Sequence, residues 1–159
     1  MIAHWPNGIK DRNQLRNDPS HFIDITPTIL EVASGQRKLE NYTSSKAPRR
    51  PGLSLIPAFK KVGALQHKNI WFCHSGNRAF REGDWKISYN GAPLKRFVWN
   101  DNAKKSPRNN PNAKWELYNM KHDRCEMNDL ALKYPDKVKE LDRRLNQIAE
   151  NFRNGLEIK

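Results

Sequence analysis

The stretch FCHSGNRAFREGDWKISYN, residues 72–90, decides the fold class of this chain. It contains the short runs RAFREG (78–83) and DWKISYN (84–90), and turn signals stand at Ser75-Gly76 and Glu82-Gly83-Asp84. Short runs with aromatic residues that are separated by such turns are typical of successive antiparallel strands. Together with the residues just before it, which complete the run NIWFCHSG (69–76), the stretch predicts three adjacent strands.

Two later patterns extend these strands to an α+β unit. KWELYNM, residues 114–120, predicts a fourth strand. YPDKVKELDRRLNQIAENFRNG, residues 134–155, predicts a helix that begins at Pro135 and ends at Gly155. Its apolar residues recur at spacings of three and four and share one face: Val138, Leu141, Leu145, Ile148 and Phe152. We therefore predict an antiparallel sheet with a helix on one face.

The N-terminal part contains fewer elements. MIAHWP, residues 1–6, predicts a short buried strand, because an apolar run is stopped by proline and the turn signal that follows. LSLIPAF, residues 53–59, predicts one or two helical turns. Polar residues with Pro, Gly or Asn predict loops at 36–52 and 91–113. These elements are too few to bury their own apolar faces.

A helix is predicted within HFIDITPTILEVASG, residues 21–35, between the two N-terminal elements. Thr26 followed by Pro27 fits an N-cap with proline at the first helical position. Gly35 is the expected end of the helix, since glycine adopts the left-handed conformation there without penalty. Asp24 adds negative charge near the helix start.

The chain is strongly basic. Its 159 residues carry a formal net charge of +12, with 36% apolar residues and a mean hydropathy of −0.94. Such a surface attracts nucleic acid, anionic lipid or sulfated polymers, and charge alone does not choose among them. Between residues 95 and 114, six bases face the single acid Asp101: Lys95, Arg96, Lys104, Lys105, Arg108 and Lys114. A solvated loop is the alternative interpretation of this run.

Cysteine usage and hydropathy exclude several classes of protein. Cys73 and Cys125 are far apart in sequence and form no CxxC motif, so we predict two unpaired, buried thiols. No run of about 18 apolar residues is present, so no transmembrane helix is expected. The N-terminus lacks the basic and apolar regions of a signal peptide, so localisation stays open.

Familiar catalytic motifs are absent, and His74, Asn77 and Arg78 form the best polar group. The sequence contains no Walker motif, GxGxxG, HExxH, GxSxG or CxPxR, and its five histidines include no close pair. His74 and Arg78 are suited to bind an oxyanion through charge-assisted hydrogen bonds. The alternative is that Asn77 helps to form a turn and His74 is a structural residue.

Six blocks of sequence, in order, resemble the C-terminal part of a type I sulfatase, a member of the arylsulfatase family with the alkaline-phosphatase-like fold. These blocks are MIAHWPNGIK (1–10), HFIDITPTILEVASG (21–35), GLSLIPAF (52–59), GNRAFREGDWKI (76–87), WELYNMKHDRCEMNDLA (115–131) and YPDKVKEL (134–141). The resemblance implies that residues 1–62 close the large α/β domain. It also implies that residues 66–159 form the small α+β subdomain, a four-stranded antiparallel sheet plus a C-terminal helix.

The resemblance further implies a sulfuric ester hydrolase. The intact family enzyme uses formylglycine as nucleophile and calcium to stabilise charge on the sulfate oxygens, but the family's motifs for both lie upstream of the first block. No catalytic or metal residue is therefore carried over to this chain, which we expect to be inactive without an N-terminal part of the sulfatase. His74 and Asn77 are the candidate substrate contacts, toward a sulfate ester. Periplasmic or secreted location is plausible for the intact enzyme. The alternative function is a basic binding module for sulfated glycans or other polyanions, with no specific nucleic acid target.

Overall fold

A computed structural model describes residues 1–11, 13–35, 52–74, 77–89 and 113–153. Three predicted segments lie almost wholly outside these ranges: the loop at 36–52, the loop at 91–113 and the six-base run at 95–114. Of their residues, only 52, 113 and 114 are described. The described chain divides into two compact units, Met1–His67 and Lys68–Lys159.

The second unit is built on a four-stranded antiparallel sheet. Its strands are β1 (Asn69–His74), β2 (Asn77–Glu82), β3 (Trp85–Tyr89) and β4 (Trp115–Asn119), and they are ordered β1-β2-β3-β4. Each strand therefore pairs with its neighbour in sequence. The four strands of an antiparallel sheet predicted from residues 69–90 and 114–120 are confirmed.

One face of this sheet forms the core. Cross-strand register places Phe80, Ile87 and Leu117 in a single row, and none of the three has any exposed surface. They pack against Leu141 and Leu145 of α3 (Pro135–Arg153), which are 1% exposed. The 3-4 spacing of apolar residues in α3 creates the stripe that covers the sheet. The predicted helix and its position on one face are confirmed, while its expected end at Gly155 lies outside the described residues.

The turn from β4 to α3 is fixed by two carboxylates. Asp123 accepts hydrogen bonds from the backbone N–H groups of Met127 (3.1 Å) and Asn128 (2.8 Å), and these bonds lower the pKa of its carboxyl. Asp129 Oδ1 accepts from the N–H groups of Leu117 (3.0 Å) and Ala131 (2.9 Å). Short polar side chains that satisfy backbone donors in this way hold a turn in one conformation.

The first unit contains a 3₁₀-helix (Phe22–Asp24) that runs directly into α1 (Ile25–Ser34), and a short α2 (Ile56–Lys60). The predicted C-terminus of α1 at Gly35 is confirmed, because Gly35 has φ 66° and its N–H bonds the carbonyl of Glu31. The predicted N-cap at Thr26 is wrong. The helix starts at Ile25, two residues earlier than predicted, because the preceding 3₁₀ turn already carries helical backbone through Asp24.

Asp24 connects three separate segments of this unit. Its Oδ2 accepts from the N–H of His21 at 2.7 Å and lies 2.8 Å from His67 Nε2, and its Oδ1 accepts from the N–H of Leu53 at 2.8 Å. The Asp24 side chain is fully buried. Gly52 is required beside it, because a Cβ there would lie 2.3 Å from the carbonyl oxygen of Ile23.

Two further predictions are wrong. Residues 1–5 form no strand, and Met1 and Ile2 are 82% and 98% exposed, because no described strand pairs with them. Cys73 and Cys125 are unpaired as predicted, but they are exposed rather than buried. Cys73 lies near the end of β1 and Cys125 lies in the turn after β4, where neither side chain reaches the core.

Candidate functional site

The candidate site lies at the end of the sheet where β1 and β2 meet. His74 is the last residue of β1, Asn77 is the first of β2, and the two are direct cross-strand partners. Directly opposed residues point to the same face of an antiparallel pair. The sheet therefore brings the two predicted site residues together, and both are exposed.

The chemistry of this pair suits recognition of oxygen-rich groups. An asparagine amide supplies two donors and one acceptor, and an imidazole supplies a donor and either an acceptor or a second donor. Such groups hydrogen-bond hydroxyl or sulfate oxygens. The pair contains no carboxylate or thiol, and its chemistry is suited to hydrogen bonding.

Arg78 does not join this pair, although the sequence places it beside Asn77. Successive residues of a strand point to opposite faces, so Arg78 lies on the face that carries the core. It is paired there with Cys73 and Tyr89, and Tyr89 is in turn paired with Trp115. The predicted polar group of three is thus divided between the two faces of the sheet.

The second hairpin is held in place by residues 81–86, which form an RxGxWK motif. Arg81 Nε donates to the carbonyl of Gly83 at 3.1 Å, and Lys86 Nζ lies 2.6 Å from Glu126 Oε1. Trp85 packs edge-on against Tyr134, with ring centroids 5.6 Å apart. Glu126 adopts φ 58°, an uncommon conformation for a residue with a Cβ. The motif is structural, and its Lys86 is bound to the turn that follows β4.

The described residues offer little to a metal ion. No group of three His, Cys, Asp or Glu side chains with metal-ligand spacing occurs within the described ranges. The calcium and formylglycine implied by the family resemblance therefore have no ligand or attachment point that we assign among these residues. In the same part of the chain, no helix combines the length and apolar character needed to cross a bilayer.

Comparison with curated proteins finds that this chain is similar to part of a sulfatase. An uncharacterized sulfatase of Schizosaccharomyces pombe is 29% identical over 122 residues, a match that spans 75% of this chain and 19% of the relative. No family model matches the chain.

Two solved structures align with most of this chain. A structure designated BT33336S-sulf, connected with metabolism of multiple glycosaminoglycans by Bacteroides thetaiotaomicron, aligns over 80% of this chain and 24% of its own, with a TM-score of 0.51 and 17% identity. Another, described as a complex with its substrate D-glucosamine-2-N,6-O-disulfate, aligns over 82% of this chain and 24% of its own, with a TM-score of 0.46 and 23% identity.

The match to the curated sulfatase confirms the predicted resemblance to the C-terminal part of a sulfatase. The structure with a TM-score of 0.51 confirms the predicted fold class. The chain spans about a fifth of the curated relative and about a quarter of the solved structures that it matches.

Sequence reasoning missed the surroundings of Arg78. Tyr89 and Trp115 are 11 and 37 positions away from it in the chain, so only the register of three strands brings them together. The short run of each predicted strand was visible, but such runs do not determine which residue opposes which across a long connection.

Proposed function

We propose that this chain is the C-terminal portion of a sulfuric ester hydrolase of the arylsulfatase type and that it is inactive alone. The sulfatase relationship carries this proposal. In support, the sequence lacks CxPxR, whose cysteine or serine would become formylglycine. The described residues contain no cluster of metal-ligating side chains from which a calcium site would be built.

The first unit supports the view that a larger sulfatase fold completes this chain. Within it, large apolar side chains are exposed on α1 and on the preceding 3₁₀-helix: Phe22 (83%), Ile29 (60%) and Val32 (45%). An apolar helix face of this kind is usually covered by protein. We assign residues 1–62 to the closing segment of the large domain, whose N-terminal part is the partner that covers this face, and residues 66–159 to the C-terminal subdomain.

His74 and Asn77 are the proposed substrate contacts, and the substrate is a sulfate ester. Their support is geometric: both are exposed, and they are opposed at the end of the β1-β2 hairpin where the two strands are connected. In the intact enzyme, the N-terminal part of the large domain would supply the formylglycine and the residues that bind calcium. The residues of this chain would orient the sulfate ester by hydrogen bonds to its oxygens.

Titration of the ¹⁵N-labelled chain with p-nitrophenyl sulfate tests the His74–Asn77 contact. We expect saturable shifts at the amides of both residues, and we expect His74→Ala to weaken binding by about three- to tenfold, since one hydrogen bond to a charged group is lost. His122→Ala, which removes an exposed histidine from the turn after β4, is the matched control and should bind normally. Equal affinities of the two variants would refute the assignment.

The net charge of +12 favours one alternative, a basic binding module for sulfated glycans or other polyanions. Heparin chromatography discriminates the two functions. Retention that persists in about 0.5 M salt would support the binding module, because nonspecific phosphate or sulfate contacts weaken steeply with salt. Elution at low salt would leave the sulfatase proposal as the account of the chain.

A further inference from the structure

A guanidinium that lies over two neighbouring aromatic rings is found at the same sheet end, on the face opposite His74 and Asn77. The Arg78 Cζ is 4.9 Å from the centroid of the Tyr89 ring and 4.8 Å from that of the Trp115 ring. The two ring centroids are themselves 5.1 Å apart, with an angle of 51° between the rings. We call these three side chains the Arg78 cluster.

The register explains why the cluster exists. Arg78 opposes Tyr89, and Tyr89 opposes Trp115, so the three side chains form one row across β2, β3 and β4. This row is parallel to the core row of Phe80, two residues away along β2. Trp115 also packs against that core, which anchors the aromatic side of the cluster.

One donor of this cluster has no acceptor among the described residues. Arg78 Nε is buried and makes no hydrogen bond there. Stacking on rings is an electrostatic attraction that uses none of the five N–H donors of a guanidinium. A buried donor without an acceptor is unfavourable, and an oxyanion that reaches the guanidinium would remove that cost.

We propose that the Arg78 cluster binds an oxyanion group of an acidic ligand. The rings fix the plane of the guanidinium, so little side-chain entropy is lost when its donors engage an anion. Sulfate and carboxylate groups both match the spacing of these donors. Because the cluster and the His74–Asn77 pair lie on opposite faces, this binding does not rest on the proposed substrate contact.

The test is an NMR titration of the full chain with sodium sulfate and, separately, with sodium acetate, each at constant ionic strength set by sodium chloride. We expect saturable shifts of the Arg78 Nε–H and the Trp115 indole N–H. Saturation by sulfate alone would identify a sulfate group as the ligand, and saturation by acetate alone would identify a carboxylate.

Two variants and a matched control complete the test. Arg78→Gln should weaken binding at least about tenfold, because the charge-assisted hydrogen bonds are lost. Tyr89→Leu keeps the charge but releases the guanidinium, and a loss of about threefold is expected. Lys133→Gln removes the same charge from a cation that stacks on one ring only, Tyr134 at 5.3 Å, and should leave the shifts intact.

Three results would overturn the proposal. The chemical shifts could fail to saturate with either anion, or sodium chloride alone could reproduce them. The third is an Arg78→Gln variant that binds the anion with the same affinity as the Lys133→Gln control. A misfolded Arg78→Gln protein would be recognised by lost dispersion of its spectrum, and Tyr89→Leu then decides the outcome.

Discussion

Replacing Asp24 with alanine is expected to unfold the first unit of this chain. The carboxylate accepts hydrogen bonds from the backbone at His21 and Leu53 and lies 2.8 Å from the imidazole of His67. All three contacts are made by a side chain with no exposed surface. Removing one partner of a buried, hydrogen-bonded pair costs about 3–5 kcal/mol, which is a large part of the stability of a domain.

Amide hydrogen exchange measures this prediction locally. In Asp24→Ala the N–H groups of Leu53 and His21 should lose their protection, because both donate to the missing carboxylate. Asp11→Ala is the matched control: Asp11 is 60% exposed and contacts only the side chain of Arg16, so its loss should cost less than about 1 kcal/mol. Unchanged protection at both amides in Asp24→Ala would show that Asp24 does not connect these segments.

Phe80→Ala is expected to have the second large effect, in the second unit. Phe80 is fully buried at the centre of the sheet face that packs on α3. Truncating such a side chain removes its burial and leaves a cavity, which together cost about 3–5 kcal/mol. Urea unfolding followed by tryptophan fluorescence provides the measurement, because Trp71, Trp85 and Trp115 pack around the same core.

Phe72→Ala is the control for that measurement. Phe72 is in the neighbouring strand β1 but on the opposite face, and it is 45% exposed. Phe72→Ala should lower the free energy of unfolding by less than half as much as Phe80→Ala does, since roughly half of the Phe72 surface is already in water. Equal losses in the two variants would contradict the assignment of the core to one face of the sheet.

The second unit could be predicted from sequence almost completely, and the reason is local. Each strand pairs with its neighbour in sequence, so the short runs within residues 69–90 and the turn at Gly83 specify most of the sheet. The stripe of α3 then has only one apolar face to cover. Elements with such strong local signals can be predicted without information from distant parts of the chain.

The first unit was harder to predict because its stability depends on distant contacts. Asp24 precedes α1 and looks like a helix-capping residue in sequence, yet its carboxylate bonds Leu53 and His67, which lie 29 and 43 positions away. MIAHWP was predicted to be a strand on its apolar composition alone, but a strand requires a pairing partner, and none of the described residues supplies one.

The candidate site was predictable in part. His74 and Asn77 are separated in sequence by the turn signal Ser75-Gly76, so a hairpin places them together. Their role toward a substrate comes from the family resemblance and stays a prediction. The separation of Arg78 from them follows from strand alternation, but its aromatic neighbours follow from register across a long connection, which the sequence does not specify.

The central claim is that this chain is part of a sulfuric ester hydrolase and lacks the reaction centre. The most direct measurement is turnover of p-nitrophenyl sulfate by the purified 159-residue chain, with and without added calcium, followed by release of p-nitrophenol. The account predicts no release above the uncatalysed background in either condition. Calcium-dependent turnover that co-purifies with the chain would contradict it.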